Sequence, residues 1–231
     1  MKIQFIGHCT FFITLNDGRT LMTDPWFRNG SVLRTMPTSF TARDFSRLDF
    51  MLVSHNHLDH VDMPALALAR RLDANFIGAA CAATRAKRAG IRESTTLKPG
   101  DSTAFDGLKI TAAPAQHPFA PHAVGFIIET EGKIIYFSGD TRNTPGLQNF
   151  LSPQKINLAF LQVMCARYFG SEDGMTDETA FQLAKIIKPD ISIPMHQHAR
   201  FKHGSAERFC ERMEKEKLDV KHLEIGQEIQ V

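Results

Sequence analysis

Three histidines and one aspartate fall within six positions of one another in Val53-Ser-His-Asn-His-Leu-Asp-His60, directly after the apolar run Asp49–Val53. A short apolar run bounded by polar residues reads as a buried strand, so the cluster falls at a strand's C-terminal end. Imidazole and carboxylate are ligands of choice for zinc, manganese or ferrous iron, and no soft thiolate is nearby. In extended backbone His55 and His57, one residue apart, project to the same side and can grip one metal. Asp59 and His60 follow where the chain turns towards a helix, within reach of a second.

The rest of the chain supplies a scaffold for such a cluster. Lys2–Ile6, Thr10–Leu15 and Thr20–Thr23 are β-like, with Asn16-Asp17-Gly18 as a hairpin signal between the last two. Residues 28–47 show no period and read as a long loop. A helix is expected over 64–72, with Asp62 as N-cap and Pro64 in its first turn. A strand at Asn75–Gly78 and a helix over 79–89, stopped by Gly90, come next. Strands are expected at Ser102–Phe105, Lys109–Ala113, Ala123–Thr130, Lys133–Phe137, Ile156–Val163 and Ile191–Pro194. Helices are expected over 176–188, with Thr-Asp-Glu-Thr as cap and first turn, and over 205–217. Residues 221–231 read as a final strand pair or edge. Strand meanders mixed with βα units give an α/β class with helices outside, and 231 residues without repeat or linker give a single domain, 1–231.

Composition narrows the function classes. At 43% hydrophobic and 23% charged residues, the chain can bury a core without a metal prop, so the cluster reads as catalytic. The net charge is only +2 and no dense basic run exists, which argues against nucleic acid as a partner and leaves a small-molecule substrate, phosphorylated or not. Cys9, Cys81, Cys165 and Cys210 form no C-x-x-C pair, as for reduced thiols in a cytoplasmic protein. No signal peptide and no apolar run of transmembrane length is visible. The sequence leaves a homo-oligomer open.

His-x-His-x-Asp-His after an apolar strand resembles the metal signature of the metallo-β-lactamase superfamily. The resemblance runs along nearly the whole chain. Gly7-His8-Cys9-Thr10 and Thr23-Asp24-Pro25 resemble the opening of its ascorbate-phosphate lactonase-like branch, which also holds the N-acyl phosphatidylethanolamine phospholipase D. Pro114-Ala-Gln-His117, Phe137-Ser-Gly-Asp140-Thr141 and Ile193-Pro-Met-His196 follow in the family's order. The resemblance implies an αββα four-layer sandwich and two divalent metal ions, zinc or manganese, with iron a third option. By motif, His55, His57 and His117 would hold the first metal, Asp59, His60 and His196 the second, and Asp140 would bridge them. Gly139 lets the chain turn so that Asp140 points back. His122 competes with His117, and His198 and His203 with His196; the positions right after the strands favour His117 and His196. Asp24 is expected to accept a hydrogen bond from a liganding imidazole and fix its tautomer. His8 faces either substrate or structure, and Cys165 is a pocket wall or a buried thiol.

Such a centre is expected to hydrolyse its substrate: two ions ~3.5–4 Å apart bind a water that ionises near neutral pH and attacks an electrophile, with Asp140 and Asp59 tuning it. A lactone or related ester is the leading substrate. A phosphodiester is the alternative, with Arg142 and Arg167 as candidate phosphate contacts, and a β-lactam comes last. Nuclease relatives usually carry an extra domain for which this chain has no room. Flavo-di-iron relatives commonly have Glu where this chain has His57, which argues against redox chemistry. A metal-binding module without activity would be expected to lack a ligand, and no matched position is lost.

Overall fold

Runs of Ile, Phe, Leu and Thr, which favour a pleated, half-buried backbone, open the chain as β1 (Lys2–Gly7), β2 (Thr10–Thr14) and β3 (Thr20–Thr23), an antiparallel meander. The structure is a computed structural model that describes residues 1–200 and 203–231, with the backbone alone at Tyr168. The contacts divide the chain into two compact units, Met1–Leu97 with His198–Arg200 and Leu223–Val231, and Lys98–Gln197 with Phe201–His222.

In the first unit β4 (Phe50–Val53), β5 (Asn75–Gly78) and β6 (Ser94–Thr96) extend the meander in parallel. Parallel neighbours need crossovers, which α1 (Met63–Arg71) and α2 (Ala80–Arg88) provide. The C-terminal strand Glu228–Gln230 pairs with β1 and completes a seven-stranded mixed sheet. Met51 and Val53 share a core with Leu66, Leu68, Ala82 and Ala86 of the helices. Phe50 and Leu52, on the alternate face, are buried as well, so β4 is apolar throughout, as parallel strands covered on both faces are.

Asp62 caps α1 by accepting the Ala65 N–H at 2.9 Å. The same carboxylate accepts the N–H groups of Phe27 (2.8 Å) and Arg28 (2.7 Å), tying the start of the long loop to the helix. Residues 28–47 contain no helix or strand. Polar contacts hold them instead: Thr38 Oγ1 donates to Ile6 O at 2.6 Å, Asn29 and Thr38 exchange two bonds, and Arg34 makes a bridge with Ala199. Phe27, Phe40 and Phe45 pack on the core, whereas Phe119 is exposed.

The second unit begins with β7 (Ser102–Phe105), β8 (Leu108–Pro114), β9 (Val124–Thr130) and β10 (Lys133–Phe137), all antiparallel. After α3 (Pro145–Leu151), β11 (Leu158–Gln162) lies parallel to β10. Short ribbon strands follow, β12 (Met164–Cys165), β13 (Arg167–Tyr168) and β14 (Ser171–Glu172), then α4 (Asp177–Ile187). β15 (Ile191–Met195) adds parallel to β11 and completes a six-stranded mixed sheet. β16 (His203–Gly204) pairs with β12, and α5 (Ala206–Lys215) ends the unit's helices. Thr176 caps α4 in a reciprocal box with Thr179, and α3, α4 and α5 cover Tyr136, Ala159 and Leu161.

The α/β class and the mixed sheets flanked by helices agree with the sequence. β6 and α3 were not foreseen, because one is three polar residues and the other is seven residues long, too short for a period. Residues 221–231 give a single strand at the edge of the seven-stranded sheet, the second of the two forms expected. Among the described residues no helix is long and apolar enough to cross a membrane.

Gly78 faces Val53 across the β4–β5 ladder, and a Cβ there would stand 2.6 Å from the Val53 carbonyl oxygen. Gly78→Ala is therefore expected to cost about 1–3 kcal/mol. A circular-dichroism melt should show a lower unfolding midpoint, by roughly 2–4 °C for each kcal/mol in a chain of this size.

Candidate metal centre

The histidine cluster of the first unit leaves the C-terminal end of β4, a usual place for ligands on open α/β sheets. Its backbone closes into a turn, with the N–H groups of His60 and Val61 both donating to His57 O at 3.1 Å. The side chains are organised from β3. Asp24, fully buried with a left-handed φ of 34°, accepts the Ser54 N–H at 2.7 Å on Oδ1. Its Oδ2 accepts the Ser54 hydroxyl at 2.5 Å and His60 Nδ1 at 2.7 Å. Since the Ser54 proton goes to Asp24, Ser54 Oγ accepts from His55 Nδ1 at 2.9 Å.

One carboxylate thus sets two tautomers. With Nδ1 committed as donor in both rings, Nε2 of His55 and of His60 carries the lone pair, the form that binds a metal. The two ring centroids lie 4.0 Å apart, and the His57 ring stands 4.5 Å from that of His55. Burial is the largest influence on the Asp24 carboxyl and pushes it above the ordinary carboxylate value, against the pull of His60 and Ser54.

His8, also left-handed with φ 59°, is placed beside Asp59. His8 and His198 each donate a backbone N–H to the other's Nδ1, at 3.1 and 3.3 Å. His8 Nδ1 is therefore an acceptor, and its Nε2–H faces Asp59 Oδ2 at 3.6 Å. Trp26 meets the His8 ring edge-on at 5.0 Å, and the Arg34 guanidinium lies over Trp26 at 3.8 Å. Burial lowers the Arg34 pKa to about 10, against the pull of Asp62 and Asp59.

The second unit carries His117, Asp140 and His196. Gly139, at φ 55°, turns the chain after β10, and Asp140 is buried. His117 Nδ1 donates to Asp173 O at 2.6 Å, and His196 Nδ1 to Met164 O at 2.8 Å. Both rings therefore also present Nε2 as an acceptor. His196 Nε2 lies 3.0 Å from Asp140 Oδ2, and His117 Nε2 lies 4.0 Å from it. An imidazole lone pair and a carboxylate oxygen at 3.0 Å repel each other unless a proton or a metal cation is held with them. The donor set fits a divalent cation by that criterion.

Residues that the sequence did not single out do much of the positioning. Gln162, fully buried, accepts the N–H groups of Thr141 (3.0 Å) and Met175 (3.1 Å) on Oε1 and donates to Met164 O at 3.2 Å. It binds the Asp140 loop to the carbonyl that orients His196. Asp173 accepts the Ala166 N–H at 2.7 Å, which fixes the carbonyl facing His117. The one available signal was Ser54, directly before His55. Of the competing histidines, His122 and His203 are exposed and His198 pairs with His8. Arg142 donates to Glu172 O at 2.6 Å and to Ser171 Oγ at 2.8 Å, and exposed Arg167 pairs with the Glu172 carboxylate at 2.9 Å. Cys165 is buried on β12. Cys9, far from the cluster in sequence, has its Sγ within 4.8 Å of a ring nitrogen of His60, so a thiol is close after all.

Comparison with known proteins bears on all of this. Two metal-dependent hydrolases, from Pelotomaculum thermopropionicum and Enterococcus faecalis, are each 30% identical to this chain over 207 residues. That is 85% of this chain and 84% and 86% of theirs. Igni18, a metallo hydrolase of the archaeon Ignicoccus hospitalis, superimposes with a TM-score of 0.83 at 24% identity, over 99% of this chain and 97% of its own. That likeness shows that the two chains share a fold. The family model described as "Beta-lactamase superfamily domain" matches residues 19–197. The chain belongs to that superfamily and, within it, to the UPF0173 metal-dependent hydrolases.

Proposed function

We propose that residues 1–231 act as one binuclear hydrolase domain that cleaves a lactone or related ester, in the lactonase-like branch. In this reading His55, His57 and His117 hold one divalent ion, Asp59, His60 and His196 the other, and Asp140 bridges. The observation that carries it is the shared commitment of His55, His60, His117 and His196, each donating from Nδ1 and so keeping Nε2 as an acceptor. Four imidazoles set to one tautomer are unexplained by core packing and are what a cation needs. When bound, two such ions supply a Lewis acid for the carbonyl oxygen and a water that ionises near neutral pH.

The protein's own part is orientation and selection. Asp24 holds His60 directly and His55 through Ser54, Asp173 and Met164 hold His117 and His196, and the Nε2–H of His8 faces Asp59. The cleft beside Leu58, the residue between His57 and Asp59, has a volume of about 290 Å³ and is lined by Trp26, Val32, Met63 and Pro64, with Arg28 at its side. Val32, Leu58 and Met63 are well exposed there, a surface suited to the carbon skeleton of an ester. The two arginines considered for a phosphate, Arg142 and Arg167, are engaged by Glu172 and Ser171, which weakens the phosphodiester alternative.

Protein loaded with manganese or zinc should turn over a simple lactone with a higher kcat/KM than an activated phosphodiester, and Asp140→Asn should drop that turnover to the buffer rate. Full activity in Asp140→Asn would remove the bridging role. Asp24→Asn loses an acceptor for the His60 and Ser54 donors, so metal affinity should weaken about 10–100-fold, measured by competition with a chromophoric chelator. An unchanged affinity would show that the two imidazoles orient themselves without Asp24.

A further inference from the structure

We infer that Cys9 supplies a thiolate ligand to the metal held by His60. The inference rests on the reading above that His60 binds a metal, and adds a donor that no motif assigns. The turn from β1 into β2 brings Cys9 in: a register shift between Phe5 and Gly7, with φ 129° at Gly7 and 59° at His8, folds the chain back sharply. Potential ligand atoms of His8, Cys9 and His60 all lie within 4.8 Å of one another, and all three residues have no solvent exposure.

Hydrogen bonding decides which of the three can serve together. His8 accepts the His198 N–H on Nδ1, so Nε2 carries the proton and points at Asp59. His60 donates from Nδ1 to Asp24, so its Nε2 is the lone-pair atom. The pair left to share a cation is Cys9 Sγ and His60 Nε2. On a common zinc, bonds of about 2.3 Å to sulfur and about 2.1 Å to nitrogen put such atoms no more than ~4.4 Å apart; here Cys9 Sγ and a ring nitrogen of His60 lie within 4.8 Å of each other.

The backbone holds that arrangement. Cys9 O accepts the Thr23 hydroxyl at 2.9 Å, and the Thr10 hydroxyl donates to Asp24 O at 2.9 Å. The end of β3 that orients His60 through Asp24 therefore also fixes Cys9. A buried cysteine is often a small hydrophobe, but this one stands against two imidazoles. A thiolate is a soft donor and selects zinc over manganese or iron, so zinc becomes the metal of choice among the three.

Zinc K-edge X-ray absorption on the full, zinc-loaded chain tests this. The expected spectrum contains one sulfur scatterer at about 2.3 Å beside the nitrogen and oxygen shell. Cys9→Ser should lose it with zinc still bound, and a chain carrying Cys81→Ser, Cys165→Ser and Cys210→Ser should keep it, which decides the matter even if Cys9→Ser does not fold. Bound zinc with only nitrogen and oxygen neighbours overturns the inference and leaves the proposed hydrolase standing, as does a sulfur shell that disappears with the other three cysteines. Failure to bind zinc at all overturns both.

Discussion

The carboxylate of Asp24 is the point on which the first unit's histidine cluster depends. Burying an ionised carboxylate costs several kcal/mol, and the charge-assisted bonds from Ser54 N–H, Ser54 Oγ and His60 Nδ1 return about 1.5–3 kcal/mol each. The two sides are of similar size, and burial pushes the Asp24 carboxyl above the ordinary carboxylate value, against the pull of His60 and Ser54. A group near balance is a poor source of stability. What it does supply is geometry, because Oδ2 orients His60 directly and His55 through the Ser54 hydroxyl, two imidazoles that belong to one turn. The left-handed φ of 34° at Asp24 is a further cost, of a kind that collects at functional sites.

How much of this was legible follows from the range over which each contact acts. The β4 strand, the Asp62 cap and the Thr176 cap depend on neighbours a few residues away, and the sequence shows them. The histidine cluster is legible for the same reason. Gln162 is not, since a lone glutamine ending an apolar strand looks like any other until Thr141, Met164 and Met175 are seen around it. Asp173 contributes a carbonyl oxygen, which no sequence pattern encodes. Thr144-Pro145 is a sound helix start, with the Thr144 hydroxyl accepting the Leu147 N–H, but seven residues leave no periodicity to join it to. Cys9 stands 51 positions before His60 in the chain, and only the fold of β1 onto β2 brings its thiol near that ring.

The long loop, residues 28–47, shows the same division. Its lack of period is real, because its order comes from side chains bonding to backbone and not from an apolar stripe. Arg34 reaches Trp26 O and Met36 O while its guanidinium covers the Trp26 ring. Trp26 in turn meets His8, whose Nε2–H faces Asp59. A loop without secondary structure thereby reaches a proposed ligand through two rings.

The two units orient their imidazoles with different acceptors, and the difference has a consequence. His60 donates to a carboxylate, whereas His117 and His196 donate to neutral backbone carbonyls. An anionic acceptor raises the basicity of the opposite ring nitrogen more than a neutral one does. His60 is thus the most strongly donating imidazole of the set, and a thiolate from Cys9 would add to it the softest donor. A cation bound by that pair faces more negative charge than one bound by His55, His57 and His117. Two ions in such surroundings would differ in affinity, the one on His60 binding first and leaving last.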